Sequence, residues 1–268
     1  AAIEFAARNN VLVVVAAGNE GQALNGFGIA ALPEVIAVGA SDRDDERAAF
    51  SNHGPEIDLV APGVDILSLR ARYTDTLLDL PGLEYEVGNA YVGADRRYYS
   101  AGGTSFSAPL VAGAASLILS SRPGLSAAQV KRMLLNSARD IDEVGRDNFT
   151  GSGLLDVRAA LTADPDYFLE AAITSVNVIQ GDDGQPAVQV IGTASGDRIK
   201  RYSVALGAGE KPKSFKRASG YGREPGTEGN VGEIPAAALQ GSAVWILQLE
   251  VEHKDGSKRL ARFRLQLG

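Results

Sequence analysis

Apolar residues are patterned differently along the two ends of this chain. Residues 11–17 (Val-Leu-Val-Val-Val-Ala-Ala) and 35–39 (Val-Ile-Ala-Val-Gly) are short continuous runs. Runs of this kind, without alternation, predict strands buried on both faces, as in a parallel sheet. Shorter strands are predicted near 57–60 and 65–69. Helical spacing then takes over at 105–121 and 126–138, with Pro123-Gly124 between the two segments. Ser126 followed by Gln129 is a capping-box pattern, and Val130, Met133, Leu134 and Ser137 form the inward face of the second helix. Gly113 costs the first helix stability relative to alanine, so close packing of helix on sheet is expected there. Residues 1–10 read as the last turns of an amphipathic helix. Ile3, Ala6 and Ala7 share one face, and Asn9 or Asn10 closes its C-terminus.

The last hundred residues carry strand signals only. Candidates lie at 171–179, 187–194 and 201–205, and two alternating runs close the chain. Trp245, Leu247, Leu249 and Val251 alternate with polar partners, and the same pattern recurs over 261–267, with Lys254-Asp255-Gly256 between. Parity decides the turn. A two-residue Asp-Gly loop would set Leu249 opposite Arg262 and mismatch the faces. A three-residue loop, Lys254 to Gly256, sets Leu249 opposite Ala261 and Leu247 opposite Phe263, with Gly256 in the left-handed bulge position.

Charge marks the same division. Residues 1–165 carry a net −8 and one lysine, Lys131, whereas residues 166–268 carry +1 and six lysines. With Ala163-Asp164-Pro165-Asp166 as a linker, the expected organisation is an α/β domain over 1–164 and an all-β sandwich over 165–268. The chain's 268 residues are 45% hydrophobic, enough for a sizeable core in each part. There is no cysteine, so disulfides contribute nothing. A net charge of −7 argues against nucleic acid as a partner, and no apolar run reaches the ~20 residues of a membrane span. Composition agrees with an acidic, secreted protein.

Two segments carry candidate chemistry. In Gly102-Gly103-Thr104-Ser105-Phe106-Ser107-Ala108-Pro109 a serine stands just behind two glycines and at the start of a helix. Glycine permits the tight turn, and the free N–H groups of the helix start can stabilise an oxyanion beside Ser105. An ordinary loop-to-helix turn has the same look. Ala16-Ala17-Gly18-Asn19 places Asn19 at the carboxyl end of the first strand, where α/β sheets put their ligands. Its amide can donate to an oxyanion, or it can be a turn asparagine.

Together these segments resemble the subtilisin-like serine peptidases, whose motifs A-A-G-N and G-T-S-x-[AS]-x-P are both matched, in order. Between them Val35-Ile36-Ala37-Val38-Gly39-Ala40, Phe50-Ser51-Asn52-His53-Gly54-Pro55 and Leu59-Val60-Ala61-Pro62-Gly63-Val64 also match, and beyond them so does Gly151-Ser152-Gly153-Leu154-Leu155-Asp156-Val157. The likeness runs over residues 1–162. It implies that Ser105 is the nucleophile of a serine endopeptidase, that Asn19 is an oxyanion donor, and that Ala16, Ala17 and Gly18 form one wall of the specificity pocket. Residues 165–268 resemble, more loosely, the β-sandwich modules appended to secreted bacterial enzymes, with a stabilising or spacer role, or ligand binding, as the readings.

The family's Asp and His motifs precede its A-A-G-N strand, and only 18 residues precede Asn19 here. The expectation is therefore a C-terminal part of a longer catalytic domain, inert alone, whose partners are a protein or peptide substrate and the missing N-terminal part, with no nucleic acid and no membrane. A catalytically dead fold that binds a partner is the alternative. His53 and His253 are expected to be surface or turn histidines. No cofactor is expected. Calcium is frequent in the family, but Asp42, Asp44 and Asp45 lack ligand spacing and read as a solvated loop. Residues 70–99 exceed the family's usual loop by about twenty residues, and are either a rim of the substrate cleft or a surface excursion. Leu110 stands where many members have histidine.

Overall fold

The computed structural model describes residues 1–26, 28–69, 98–181 and 184–267, with the backbone of 91–92. The segment proposed as a rim therefore lies largely outside the described residues. Strand β1 (Val13–Ala16) pairs in parallel with β2 (Val35–Ser41), which pairs in parallel with β3 (Leu59–Pro62). All seven residues of β2 are buried, as its unbroken apolar run predicts, whereas β1 is only half-buried throughout. The expectation of a strand buried on both faces holds for β2, the central strand, and fails for β1, one of the sheet's two edges. Strands β4 (Ile66–Leu69), β5 (Tyr91–Val92) and β6 (Tyr98–Ala101) form a separate antiparallel sheet in the order β4-β6-β5.

Helix α1 (Ala2–Arg8) precedes β1 and buries no residue. Ile3 and Ala6 are half-shielded, but Ala7, expected on the same face, is exposed. Helix α2 (Thr104–Ser121) lies across β1, β2 and β3. Its inward stripe of Val111, Ala114, Ala115 and Ile118 closes one core with Ile36, Val38, Leu59, Val130, Met133 and Leu134. Gly113 faces outward, with nothing within 4 Å of the position a Cβ would take, so close packing on the sheet is not its role. By length and composition α2 is apolar enough to cross a bilayer, 18 residues with mean hydropathy 1.3. Helix α3 (Ala127–Ser137) opens with the predicted capping box: the Gln129 amide N–H donates to Ser126 Oγ (3.2 Å) and the Ser126 N–H to Gln129 Oε1 (2.9 Å). Helix α4 (Val157–Thr162) is capped by the Asp156 carboxylate.

From Leu169 onward the chain is antiparallel. Strands β7 (Leu169–Gln180), β8 (Pro186–Gly196) and β11 (Gly226–Pro235) form one sheet, in the order β11-β8-β7. Strands β9 (Ile199–Ala208), β10 (Lys216–Arg217), β12 (Val244–His253) and β13 (Lys258–Gln266) form another, in the order β10-β9-β12-β13. The two sheets share a single hydrophobic cluster built on Val190, Val204, Ile234, Leu247, Leu249 and Val251. The closing hairpin has the register that parity demanded: Leu249 faces Ala261, Leu247 faces Phe263, and Gly256 has φ +92°.

One stripe of α3 joins the two parts. Gln129 Nε2 donates to Asp166 Oδ1 (3.1 Å), the Arg132 guanidinium lies over the Phe168 ring, and Asn136 Nδ2 donates to Tyr167 O (3.0 Å). From β13, Arg259 Nη2 donates back to Asn136 O (2.5 Å). Lys131 on the same helix donates to Val35 O at the start of β2 (2.5 Å) and to the buried Asp58 just before β3 (3.1 Å). The β-rich part thus docks at the N-terminal ends of the parallel strands, the end away from Asn19 and Ser105.

His253 differs from expectation. It is fully buried rather than a surface histidine, held at the base of the β12–β13 turn with Nδ1 2.8 Å from Asp255 Oδ1 and Nε2 3.2 Å from Asp197 Oδ1. Asp255 accepts from the Ser257 hydroxyl (2.5 Å) and amide (2.8 Å), and these bonds, with His253, hold its carboxyl well below the usual range. For Asp197 burial opposes ionisation, but the Phe168 amide, Arg198 and His253 together bring its carboxyl below the usual value. A folded-state value below the unfolded one stabilises the fold above the unfolded value of about 4, and that stability is lost as pH falls further. Unfolding midpoints followed from pH 7 to pH 2.5 should therefore fall on the acid side in the parent chain and fall less steeply in Asp255→Asn. Parallel profiles would remove this turn from the acid response.

Candidate active site

The site is assembled from backbone first. Gly63 N donates to Ser41 O (2.9 Å) at the end of β2, and Gly103 N donates to Gly63 O (2.7 Å), which brings the chain back across the carboxyl ends of the strands. Gly103 has φ +143°, a conformation that side-chain-bearing residues rarely adopt. A Cβ there would sit 3.3 Å from Asn19 Nδ2, so the position needs glycine on both counts. Helix α2 starts at the next residue. Ser107, fully buried, pins its first turn by donating to Ala61 O (2.9 Å) at the end of β3. Pro109 lacks the N–H that would have bonded Ser105 C=O, so the first turn keeps an open carbonyl.

Asn19 follows β1 and meets this helix start. Its Oδ1 accepts from the Thr104 N–H (2.8 Å) and from Thr104 Oγ1 (3.0 Å), while Thr104 Oγ1 accepts from the Gly18 N–H (3.1 Å). With Oδ1 engaged, Nδ2 is left on the other side of the carboxamide. Neither Asn19 Nδ2 nor the Ser105 N–H and Oγ has a hydrogen-bond partner among the described residues. Asn19 and Ser105 are exposed and Thr104 is fully buried. The arrangement presents unengaged N–H donors and a free hydroxyl at the positive end of an 18-residue helix. It can hold a carbonyl oxygen that becomes negative while its carbon is attacked.

Asn52 holds the loop that carries Asn19, a part that sequence reasoning did not assign. Nearly buried, it donates from Nδ2 to Ala17 O (3.1 Å) and Glu20 Oε2 (2.7 Å), and its Oδ1 accepts from the Glu20 and Gln22 amides (3.1 and 3.0 Å). Gly18, at φ +100°, leaves no room for a Cβ against the Asn52 amide. Thr104 is the second missed residue. Both stood inside quoted motifs, but the partners are distant in sequence and no periodicity signals them. Ala16 ends β1, Ala17 is buried with its N–H on Val38 O (2.9 Å), and Gly18 is half-exposed beside Asn19, so the three small residues do line the strand's end.

Neither histidine hydrogen-bonds Ser105. His53 pairs with Ala23 in a bridge and is half-buried, its ring tilted against Phe149 at 5.2 Å, rather than standing at a surface or turn position. Asp42 Oδ1 accepts from the amides of Asp44 and Glu46 (2.9 and 3.0 Å), a local turn. Among the described residues no three His, Cys, Asp or Glu side chains converge as metal ligands. Leu110 projects from α2, 41% exposed. A cleft of about 630 Å³ lies at the junction of the two parts, lined by Leu32, Asp58, Lys131, Arg146, Glu170 and Arg259, at the other end of the sheet from Ser105.

Known proteins resemble this chain over its first part. Residues 1–153 match the model of the subtilase family. Subtilisin DY of Bacillus licheniformis is 38% identical over 162 residues, 59% of this chain and 50% of the relative. Subtilisin BL of Lederbergia lenta is 35% identical over 159 residues, 59% of this chain and 49% of the relative. The chain thus spans about half the length of these curated relatives. The crystal structure of a lanthipeptide protease superposes with a TM-score of 0.49 at 29% identity, covering 60% of this chain and 53% of its own. With the family model matched over more than half its length, this chain belongs to the subtilase family.

Proposed function

We propose that the complete protein is a serine endopeptidase, with Ser105 as nucleophile and Asn19 as oxyanion donor. Ser105 Oγ adds to the scissile carbonyl carbon, its proton passing to a base. The C–N bond breaks, the amine leaves with that proton, and water then hydrolyses the Ser105 ester. The observation that carries the reading is the free Ser105 hydroxyl at the start of α2 beside an Asn19 carboxamide anchored by Thr104. The base and its orienting carboxylate come, on this reading, from chain outside these 268 residues, and the chain alone is inert. The half-exposed edge of β1 and the outer face of α2, with Leu117 54% and Leu110 41% exposed, support a further segment packing there. The substrate is a protein or peptide, and an acidic composition fits work outside the cell. Residues 165–268 act as a second domain, a reading supported by their own hydrophobic cluster.

Four variants of the full-length protein test the reading. A fluorophosphonate probe should label Ser105, and Ser105→Ala should abolish labelling; labelling at another serine would refute the assignment, and no labelling favours a dead, partner-binding fold. Asn19→Ala should lower kcat about 100- to 1,000-fold with little change in KM, because its bond forms chiefly in the transition state. That magnitude is the one known for such a donor in a subtilisin, and is inherited from the family rather than derived. Thr104→Val removes the hydroxyl that holds Asn19 and Gly18 together, and kcat should fall about tenfold or more, while Thr104→Ser keeps the hydroxyl and most of the rate. A KM effect alone, or equal losses in both variants, would deny Thr104 its positioning role.

A further inference from the structure

The sheet β10-β9-β12-β13 has an outer face with an unusual charge. Leu247, Leu249 and Val251 point into the core, so the alternate residues of β12 point out, and directly opposed residues share a face. Register then places Arg201 of β9, opposite Glu252, on the outer face. It also places there, in one row across the sheet, Arg217 of β10, Ala205, Gln248 and Arg262. Residues 198–223 contain eight lysines or arginines and a single acid, Glu210. Glu210 is occupied by Arg264 and Glu252 by Lys200 and Arg201. Lys211, Lys213, Lys216, Arg217 and Arg223 are exposed and have no carboxylate partner among the described residues.

These cations are organised rather than scattered. Tyr221 carries the Arg217 guanidinium 4.1 Å and the Arg201 guanidinium 4.6 Å from its ring centre, and Phe215 carries that of Arg262 at 4.8 Å. Stacking fixes the plane of a guanidinium; Arg201 Nε is taken by Glu252 and Arg262 Nε by Gln248, whereas Arg217, exposed and without a carboxylate partner among the described residues, presents its edge N–H donors to grip a carboxylate or sulfate in pairs. The position also separates charge. β13 abuts the first part through Arg259 and Leu260, and β10 is the opposite edge, three strand spacings or about 14 Å away. The basic edge thus lies at the far side of its sheet from the contacts with the first part.

We propose that this face binds an acidic polysaccharide. Charge complementarity selects a polyanion, and the stacks select among polyanions. A single-stranded nucleic acid needs open aromatic faces for its bases, whereas Tyr221 already holds two guanidiniums. Carboxylate or sulfate groups spaced along a sugar chain need only the guanidinium edges and lysines along a flat sheet. The face lies on the β-rich part, which docks at the end of the parallel sheet away from Ser105, so a polymer held there leaves that end open.

The test uses dextran sulfate, with uncharged dextran of the same length as control. The 268-residue chain should bind dextran sulfate at low salt, weaken by at least about tenfold at 0.5 M NaCl, and ignore dextran. K213Q/R217Q/R223Q should lose at least about tenfold in affinity, and K211Q/K216Q, which leaves both stacks intact, should lose less. R8Q/R43Q/R158Q changes net charge equally on the first part and should bind as the parent does. Equal losses in the two triple variants, or no preference for dextran sulfate over dextran, would overturn the proposal. Tighter binding to poly(dT) than to dextran sulfate would overturn it in favour of a nucleic-acid surface.

Discussion

Two hydrogen bonds to one atom, Asn19 Oδ1, hold the serine end together. They come from the backbone and the hydroxyl of Thr104, and the same hydroxyl accepts from the Gly18 amide. Each is worth only about 0.5–1.5 kcal/mol net, but they join the end of β1 to the start of α2 across 85 residues of chain. The closure requires glycine at 18 and at 103, both at positive φ, because a Cβ at either would meet Asn52 or Asn19. It also orients Asn19: an amide whose oxygen is doubly engaged has one way to point its N–H pair. The free donors at the site are thus a consequence of what the loop needs in order to close.

How much of this was legible in the sequence depends on the range of each interaction. Local signals held: the capping box at Ser126 and Gln129 and the three-residue turn at Gly256 rest on neighbours within a few positions. Buried runs held where both flanks of a strand are covered, as in β2. They misled at β1, whose β-branched residues are the same but which is half-buried throughout. Strand β11 went unseen because Gly226, Gly229 and Gly232 erase alternation, and its register shifts near those glycines. Thr104 and Asn52 were invisible as anchors because their partners lie up to 86 residues away. His253 went astray for a related reason. A histidine flanking a turn reads as solvent-exposed until Asp197, from another turn, is brought against it.

The junction explains why a β-rich part can be added without reshaping the serine end. Every contact from Gln129, Arg132 and Asn136 lies on one stripe of α3, above the N-terminal ends of β2 and β3. Parallel sheets work at the opposite end, where strands deliver their loops. At Gly145, φ +90°, the loop backbone lies against the Leu260 carbonyl with no space for a Cβ. Close backbone approach and a stripe of polar bonds fix the docking geometrically. The basic edge of β10 then lies at the far side of its sheet from the junction as a matter of strand order.

Helix α2 sets the last constraint. It is apolar enough for a bilayer, yet its start is committed elsewhere: Thr104 and Ser107 are fully buried, and their hydroxyls bond Asn19 Oδ1 and Ala61 O. Pulling the helix into lipid would strip both bonds and expose the sheet it covers. One face of the helix is covered by the sheet, and the other presents Leu110 and Leu117, 41% and 54% exposed. On the outer face Leu117 and Leu110 would each contribute up to about 1.5–3 kcal/mol once fully buried, and Gly113, with open space around it, admits another backbone at close range. Because α2 lies over β1 as well as over β2 and β3, a strand added beside β1 would run beneath the outer side of α2. One segment that supplies such a strand and a helix would close both openings at once. It would also bring new side chains to the carboxyl end of the sheet, where the Ser105 hydroxyl has no hydrogen-bond partner among the described residues.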